Sequence, residues 1–174
     1  MSNYAGTYAL DSTHSRIGFW LRHAMVTKVH GEFTDYESNI VIGEDSSATA
    51  VIKTASIDTK NADRDAHVKG EDFFDVAKFP EMTFTATDFN IAGNAGTVTG
   101  DLTIKGITKP VTLDVEIFGE AVDPYDQTRV GFEATTKINR KDFGIDFNAP
   151  LGTGGVLLSE DINIVIEGSA IRQG

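Results

Sequence analysis

Over most of its length this chain alternates apolar and polar residues one by one, the period of a strand with one buried face. Ile17, Phe19 and Leu21 fall on one face against Gly18, Trp20 and Arg22; Val29, Gly31 and Phe33 follow, then Ile40 and Ile42. Met82, Phe84 and Ala86 oppose Thr83, Thr85 and Thr87, a β-rich composition. The clearest pair is Val98, Gly100, Leu102 and Ile104 rising to Lys105-Gly106, with Val111, Leu113, Val115 and Ile117 descending. Val130, Phe132, Ala134, Thr136 and Ile138 form the next strand, and Ile162, Ile164 and Ile166 the last. Thr7 to Leu10 is a short opening strand. Between Thr49 and Ile57 both faces carry apolar residues, so the buried one stays open. Asn94-Ala95-Gly96 reads as a hairpin turn, Asp123 to Asp126 as another turn, and Asn148 to Ser159 as a Gly-rich loop that packs no core.

The period breaks between Ile57 and Phe84. Asn61 or Asp63 can cap a short helix, and Gly70 would end it by taking the left-handed conformation. That helix carries Arg64, Asp65 and His67. Phe73-Phe74 and Phe79 follow, and Pro80 returns the chain to an extended path. A long connection with its own polar cluster and aromatics suits a lid or mouth.

Eight or more strands on short connections, with one helix and no βαβ rhythm, exclude the parallel-sheet folds. An antiparallel sheet of this size folds into a sandwich or closes on itself, because free edges invite pairing with other chains. Closed at about eight strands, its interior is just wide enough to be filled by side chains or to hold one small ligand. Periodicity alone leaves both outcomes open, and favours the filled core. Glycines inside strands (Gly18, Gly31, Gly100, Gly131) point to sharp curvature or to something approaching the backbone.

The 174 residues are expected to form a single domain. A formal charge of −11 argues against nucleic acid and against anionic membrane surfaces as partners, and no basic block in the sequence offsets it for either. Without cysteine there are no disulfides, thiolate nucleophiles or Cys-held metals. No stretch is apolar enough to span a bilayer as a helix, so stable membrane insertion is not expected. The first residues lack the basic and apolar regions of an export signal, so the expected location is cytoplasmic.

Candidate chemistry is sparse. His14, His23, His30 and His67 show no ligand spacing, so no metal or other cofactor is expected. No nucleophile elbow or phosphate loop is present. Arg64, Asp65 and His67 either tie the helix to the barrel or face a ligand. Asp58 or Asp142 could answer Arg64, and Arg140 could answer Asp65. Arg64 or Arg140 reading a phosphate is the sharper alternative.

Several blocks, in order, resemble the YceI-like family: Asp11-Ser12-Thr13-His14-Ser15 with Ile17-Gly18-Phe19, then Val29-His30-Gly31-Glu32-Phe33, Ile57-Asp58-Thr59 and Arg64-Asp65-Ala66-His67. Asp72-Phe73-Phe74-Asp75, Phe79-Pro80-Glu81-Met82-Thr83-Phe84, Gly100 to Gly106 and Ile138 to Gly144 complete the set. The resemblance implies an extended, eight-stranded, antiparallel lipocalin-like barrel with one short helix in a long mid-chain connection. It also implies a non-enzymatic binder of long apolar molecules, polyisoprenoids or isoprenoid quinones, and it allows a homodimer. On that reading Ile17, Phe19, Leu21, Phe33, Met82, Phe84, Leu102, Leu113 and Phe132 line the interior, and Phe73, Phe74 and Phe79 close or line its mouth. His14, Arg64, Asp65, His67, Arg140 and Asp142 form a polar network or touch a head group. The alternative is an enzyme acting on a small lipophilic substrate, with His14, Arg64, Asp65 and His67 gathered near the mouth.

Overall fold

The computed structural model describes residues 4–148 and 158–174. Its elements are β1 (Gly6–Leu10), β2 (Arg16–His23), β3 (Thr27–Phe33), β4 (Tyr36–Ile42), β5 (Ser47–Lys53), β6 (Ile57–Asp58), α1 (Ala62–Val68), β7 (Glu81–Ala92), β8 (Ala95–Ile104), β9 (Ile107–Val122), β10 (Thr128–Asn139) and β11 (Asp161–Arg172). Every strand pairing is antiparallel, and β1, β4, β5, β7, β8, β9, β10 and β11 form a ring that closes where β1 meets β11. The remaining segments β2, β3 and β6 prolong β1, β4 and β5 at one end. The register runs on across the joins, from Tyr8 opposite Ile40 to Ile17 opposite Phe33, and from Tyr36 opposite Ile52 to Phe33 opposite Ile57. The result is a closed eight-stranded barrel, three of whose staves come in two pieces.

The three joins, at residues 11–15, 34–35 and 54–56, lie side by side. Each one changes which residues face inward, from even numbers (Tyr8, Leu10, Ile40, Ala50, Ile52) to odd (Ile17, Phe19, Val29, Phe33, Ile57). Backbone groups freed there must find other partners. Leu10 N–H donates to Ser38 Oγ, Thr34 N–H to Ser56, and Ser169 N–H to Ser15 Oγ. The short 3-10 turn Thr54–Ser56 is pinned from below, since Thr54 donates through N–H to the Pro80 carbonyl and through Oγ1 to the Phe79 carbonyl. One-residue bulges in β7, after Ala86, and in β9, opposite Gly131/Phe132, shift the inward set again. In β7 the change carries Phe89 and Ile91 inward.

An ion cluster ties the first join to β10. Arg129 Nη1 donates to Asp11 Oδ2 at 2.7 Å and Nε donates to Asp123 Oδ2 at 2.7 Å, while His14 Nδ1 lies 2.7 Å from the same Asp11 oxygen. Arg129 most of all, then His14 and Thr13, hold the Asp11 carboxyl far below the usual carboxylate range. His14 therefore sits on the outer wall rather than at the mouth.

Turn positions differ slightly from the sequence reading. The β7–β8 hairpin turns at Gly93-Asn94, because Gly93 supplies the positive φ of 65°. Asn61 caps α1, its side chain accepting from Arg64 N–H at 2.9 Å. Gly70 follows the helix without a left-handed backbone; Asp75, with φ 49°, takes that conformation instead. The Gly-rich loop falls mostly outside the described residues.

The Asp11 cluster predicts an acid-sensitive seam. The folded pKa is depressed, so its contribution is complete above the ordinary Asp value of about 3.9 and fades as pH falls below it toward the lower folded value. Asp11→Asn should lower the denaturation midpoint at neutral pH, and that midpoint should change less than the parent's between about pH 5 and pH 2.

Candidate functional site

The barrel is hollow. Its inward apolar side chains bound one cavity of about 680 Å³, running from Tyr4, Tyr8 and Ile42 at one end to Phe73, Phe147 and Leu158 at the other. Pockets of about 300–1,000 Å³ take whole small molecules. From Ile162 to Ala170, both lining residues, β11 extends about 26 Å at about 3.3 Å per residue. At a strand tilt of about 40° that is about 20 Å along the axis. Phe19, Phe84, Leu113, Phe132 and Ile164 point inward yet remain only half-buried, because no side chain meets them across the axis.

The space stays open because large rings lie flat on the wall. Phe19 is paired across strands with Gly31, and a Cβ at Gly31 would stand 2.4 Å from the Phe19 ring. Phe132 is paired with Gly168, where a Cβ would stand 2.3 Å from that ring. Phe84 also comes near Gly100, but there the Thr85 carbonyl and the strand partner Ala86 lie closer to where a Cβ would stand. A side chain at Gly31 or Gly168 would lift the ring toward the axis. Gly131 plays no such part, having open space where its Cβ would be.

One end is plugged. Tyr8, almost wholly buried, donates its hydroxyl to the Tyr4 carbonyl at 2.7 Å and accepts from Arg172 at 3.1 Å, while Tyr4 donates to Asn94 on the β7–β8 turn. Ile40, Ile42 and Ile117 pack around this plug. The opposite end reaches solvent, where the cavity is bordered by the exposed His23, Asp63, Arg64 and His67. Above it, His67 meets Phe73 and Phe147 edge-to-face at 5.1 Å, Phe73 and Phe147 are tilted against each other at 5.3 Å, and Phe74 stacks edge-on against Phe33 at 5.6 Å.

The polar residues of the mouth chiefly hold it in shape. Asp65 Oδ1 accepts from Thr59 N–H at 2.8 Å and from Thr59 Oγ1 at 2.5 Å; Arg64 donates Nε to Thr59 Oγ1 and Nη2 to the Thr59 carbonyl. Thr59 is thus gripped by two consecutive helical residues. The pairings expected from sequence do not form: Asp58 is held by Lys60, and Asp65 and Arg140 have other partners. Arg140, only 3% exposed, donates to the carbonyls of Ser159, Ile145 and Leu158 and so clamps both ends of the loop between β10 and β11. Burial lowers its pKa, against the pull of Glu160 and Asp146. Asp142 is exposed and outside the cavity.

Of the expected lining, Ile17, Phe19, Leu21, Phe33, Phe73, Phe74, Met82, Phe84, Leu102, Leu113 and Phe132 border the cavity. Phe79 does not; it packs over Gly106 at the foot of the β8–β9 turn, drawn there by the pinned Thr54. The arrangement imagined for an enzyme does not assemble, since His14 is on the outer wall and Asp65 is spent on Thr59. Among the described residues no group of three or more His, Asp or Glu could hold a metal. Sequence reasoning passed over the plug residues Tyr4 and Tyr8 and the mouth residues Phe147 and Leu158. Tyr8 carries the signal of alternation with Leu10, whereas Leu158 carries none.

A model of the YceI-like domain matches residues 8–170. The chain belongs to the YceI-like family. The UPF0312 protein plu2095 of Photorhabdus laumondii is 40% identical over 99% of this chain and 90% of its own length. The solved YCEI protein of Campylobacter jejuni is 36% identical, with a TM-score of 0.75 over 88% of this chain and 90% of that one. A polyisoprenoid binding domain from Saccharophagus degradans shares the fold at 16% identity, with a TM-score of 0.70 over 95% of this chain and 98% of that one. Sharing its relatives' fold, this chain is a YceI-like barrel, and it encloses an apolar cavity within its walls.

Two outcomes test this description. In Gly31→Ala with Gly168→Ala, the rings should swing into the empty lumen at a stability cost no greater than the roughly 1–3 kcal/mol of overpacking a filled core. Uptake of an apolar fluorescent probe should fall. Arg140→Met takes the donor from the Ser159 and Ile145 carbonyls, while the Leu158 carbonyl keeps Asn148, and should cost about 2 kcal/mol in denaturant titration, since each buried group left unsatisfied costs about 1–3 kcal/mol.

Proposed function

We propose that the protein binds one long isoprenoid-type molecule, a polyisoprenoid or an isoprenoid quinone, and sequesters or carries it. The observation that carries this reading is the unfilled tunnel of about 680 Å³, walled almost entirely by hydrocarbon and plugged at the Tyr4–Tyr8 end. A narrow apolar tube suits an extended chain. Each methylene removed from water contributes about 0.8 kcal/mol, with no need for directional bonds along the wall. The solved Saccharophagus degradans neighbour, named for polyisoprenoid binding, supports the choice of ligand class.

Polarity at the two ends favours one orientation. The tail points toward Tyr8, and a polar head rests at the mouth beside the exposed Arg64 and His67, which with the buried Arg140 are the residues of the expected polar set that border the cavity. His67 Nε2 lies 3.0 Å from Asp72 Oδ2 at the exposed rim, where a quinone oxygen or phosphate would emerge. The reading is non-enzymatic: the tunnel presents hydrocarbon along its length, and of the candidate acid–base residues His14 lies away from the mouth and Asp65 is bonded to Thr59.

Native mass spectrometry of protein taken straight from its host should show an added hydrophobic mass. Extraction into organic solvent should then release a prenylated compound. Repeated preparations without such a mass, together with no uptake of an added isoprenoid quinone, would overturn the assignment.

A further inference from the structure

The charge excess is unevenly spread. From Ser12 to Gly31 the chain has no Asp or Glu, but holds Arg16, Arg22, Lys28 and three of its four histidines. The β2–β3 hairpin in this stretch ends at the open mouth, and the inner faces of Leu21, His23 and Val29 border the cavity. Its tip is apolar and bare, with Met25 61% and Val26 74% exposed. On the outer face Trp20, the single tryptophan, lies beneath Lys28 Nζ at 4.1 Å and Arg22 Cζ at 5.4 Å. Arg16 is answered by Glu32, and Glu32 pairs in register with Asp58 at the far end of β3. Glu160 and the exposed Asp161 lie toward the tip end of the hairpin, because Ser159 N–H donates to the Arg22 carbonyl and Leu158 bridges to His23; Glu160 is held by Lys141.

The turn itself is built against local preference. Ala24 and Met25 both take left-handed backbone, at φ 50° and 68°, where a hairpin favours Asn-Gly. Bulky apolar residues are thus kept at a position whose geometry asks for small or polar ones, and they project away from the protein. An exposed apolar tip flanked by tryptophan and two cations matches the depth profile of a bilayer surface, with hydrocarbon below and anionic head groups beside the cations.

We propose that the β2–β3 hairpin docks the mouth of the barrel on an anionic phospholipid bilayer. Met25 and Val26 enter the interface, and Arg22 and Lys28 contact lipid phosphates. The tunnel then opens at the membrane surface, so a prenyl tail passes between bilayer and barrel without crossing water. That last step rests on the isoprenoid reading, whereas the docking does not. The net charge of −11 sets the orientation, because other faces are repelled and the hairpin is attracted.

The test uses the full chain and vesicles free of any isoprenoid, so its result is independent of whether a prenylated ligand is found. Vesicles of phosphatidylcholine with phosphatidylglycerol should co-sediment the protein at low salt, and added salt should release it. Brominated phosphatidylcholine in the same vesicles should quench Trp20. Arg22→Gln with Lys28→Gln should weaken partitioning by roughly fivefold per charge. Replacing Ala24-Met25-Val26 by Asn-Gly-Ser should also weaken it several-fold, in a protein whose turn is now locally favoured and whose fold is retained. No sedimentation at low salt, equal binding to vesicles of phosphatidylcholine alone, or undiminished binding by either variant would overturn the proposal.

Discussion

A hollow barrel must keep its own aromatic side chains out of its middle. Here the means is cross-strand glycine: Phe19 lies over Gly31 and Phe132 over Gly168, with Phe84 set diagonally beside Gly100. Each ring spends its contact area on backbone rather than on the opposite wall. The rings still cover the bare stretch of sheet that glycine would leave, a known way for aromatics to rescue strand glycines. Eight strands give an interior near the limit between filled and open. At that limit, where three rings lie decides whether a ligand has room.

Length is the second constraint. A deep tube needs long staves, and three of the eight are extended by adding a second segment after a join. The joins fall next to one another, so these three changes of inward face lie along a single line. Serine and threonine side chains occupy that line and satisfy the backbone groups released there, among them Ser15, Ser38, Thr54 and Ser56. The Asp11–Arg129–Asp123 cluster locks it to β10 from outside.

The mouth separates structural polarity from polarity offered to solvent. Asp65, Arg140 and part of Arg64 are used up inside the protein, on Thr59 and on the carbonyls flanking the loop between β10 and β11. His67 and Asp72 remain at the rim, beside the Phe73–Phe147 pair. Across the opening the basic β2–β3 hairpin presents an apolar tip. An entrance of this kind has a fixed frame, one polar lip and one lipid-like lip.

Strict alternation determined much of this from sequence alone. Leu102 through Ile104 and Val111 through Ile117 read as facing strands with one buried face, and their short turns called for an antiparallel sheet, either folded into a sandwich or closed on itself. The helix was legible from Asn61, because a side-chain acceptor three residues before a free N–H is a local matter. The resemblance to the YceI-like family likewise rests on local blocks of residues. Hollowness was not legible, since a wall and a core bury the same apolar face with the same period. It depends on which residue stands opposite which: Gly31 across from Phe19, Gly168 across from Phe132. The partners of Asp65 and Arg140, the retreat of Phe79 from the mouth, and the inward turn of Phe89 after a bulge also depend on contacts or register set by the folded chain. Those arrangements exist only once distant strands have met.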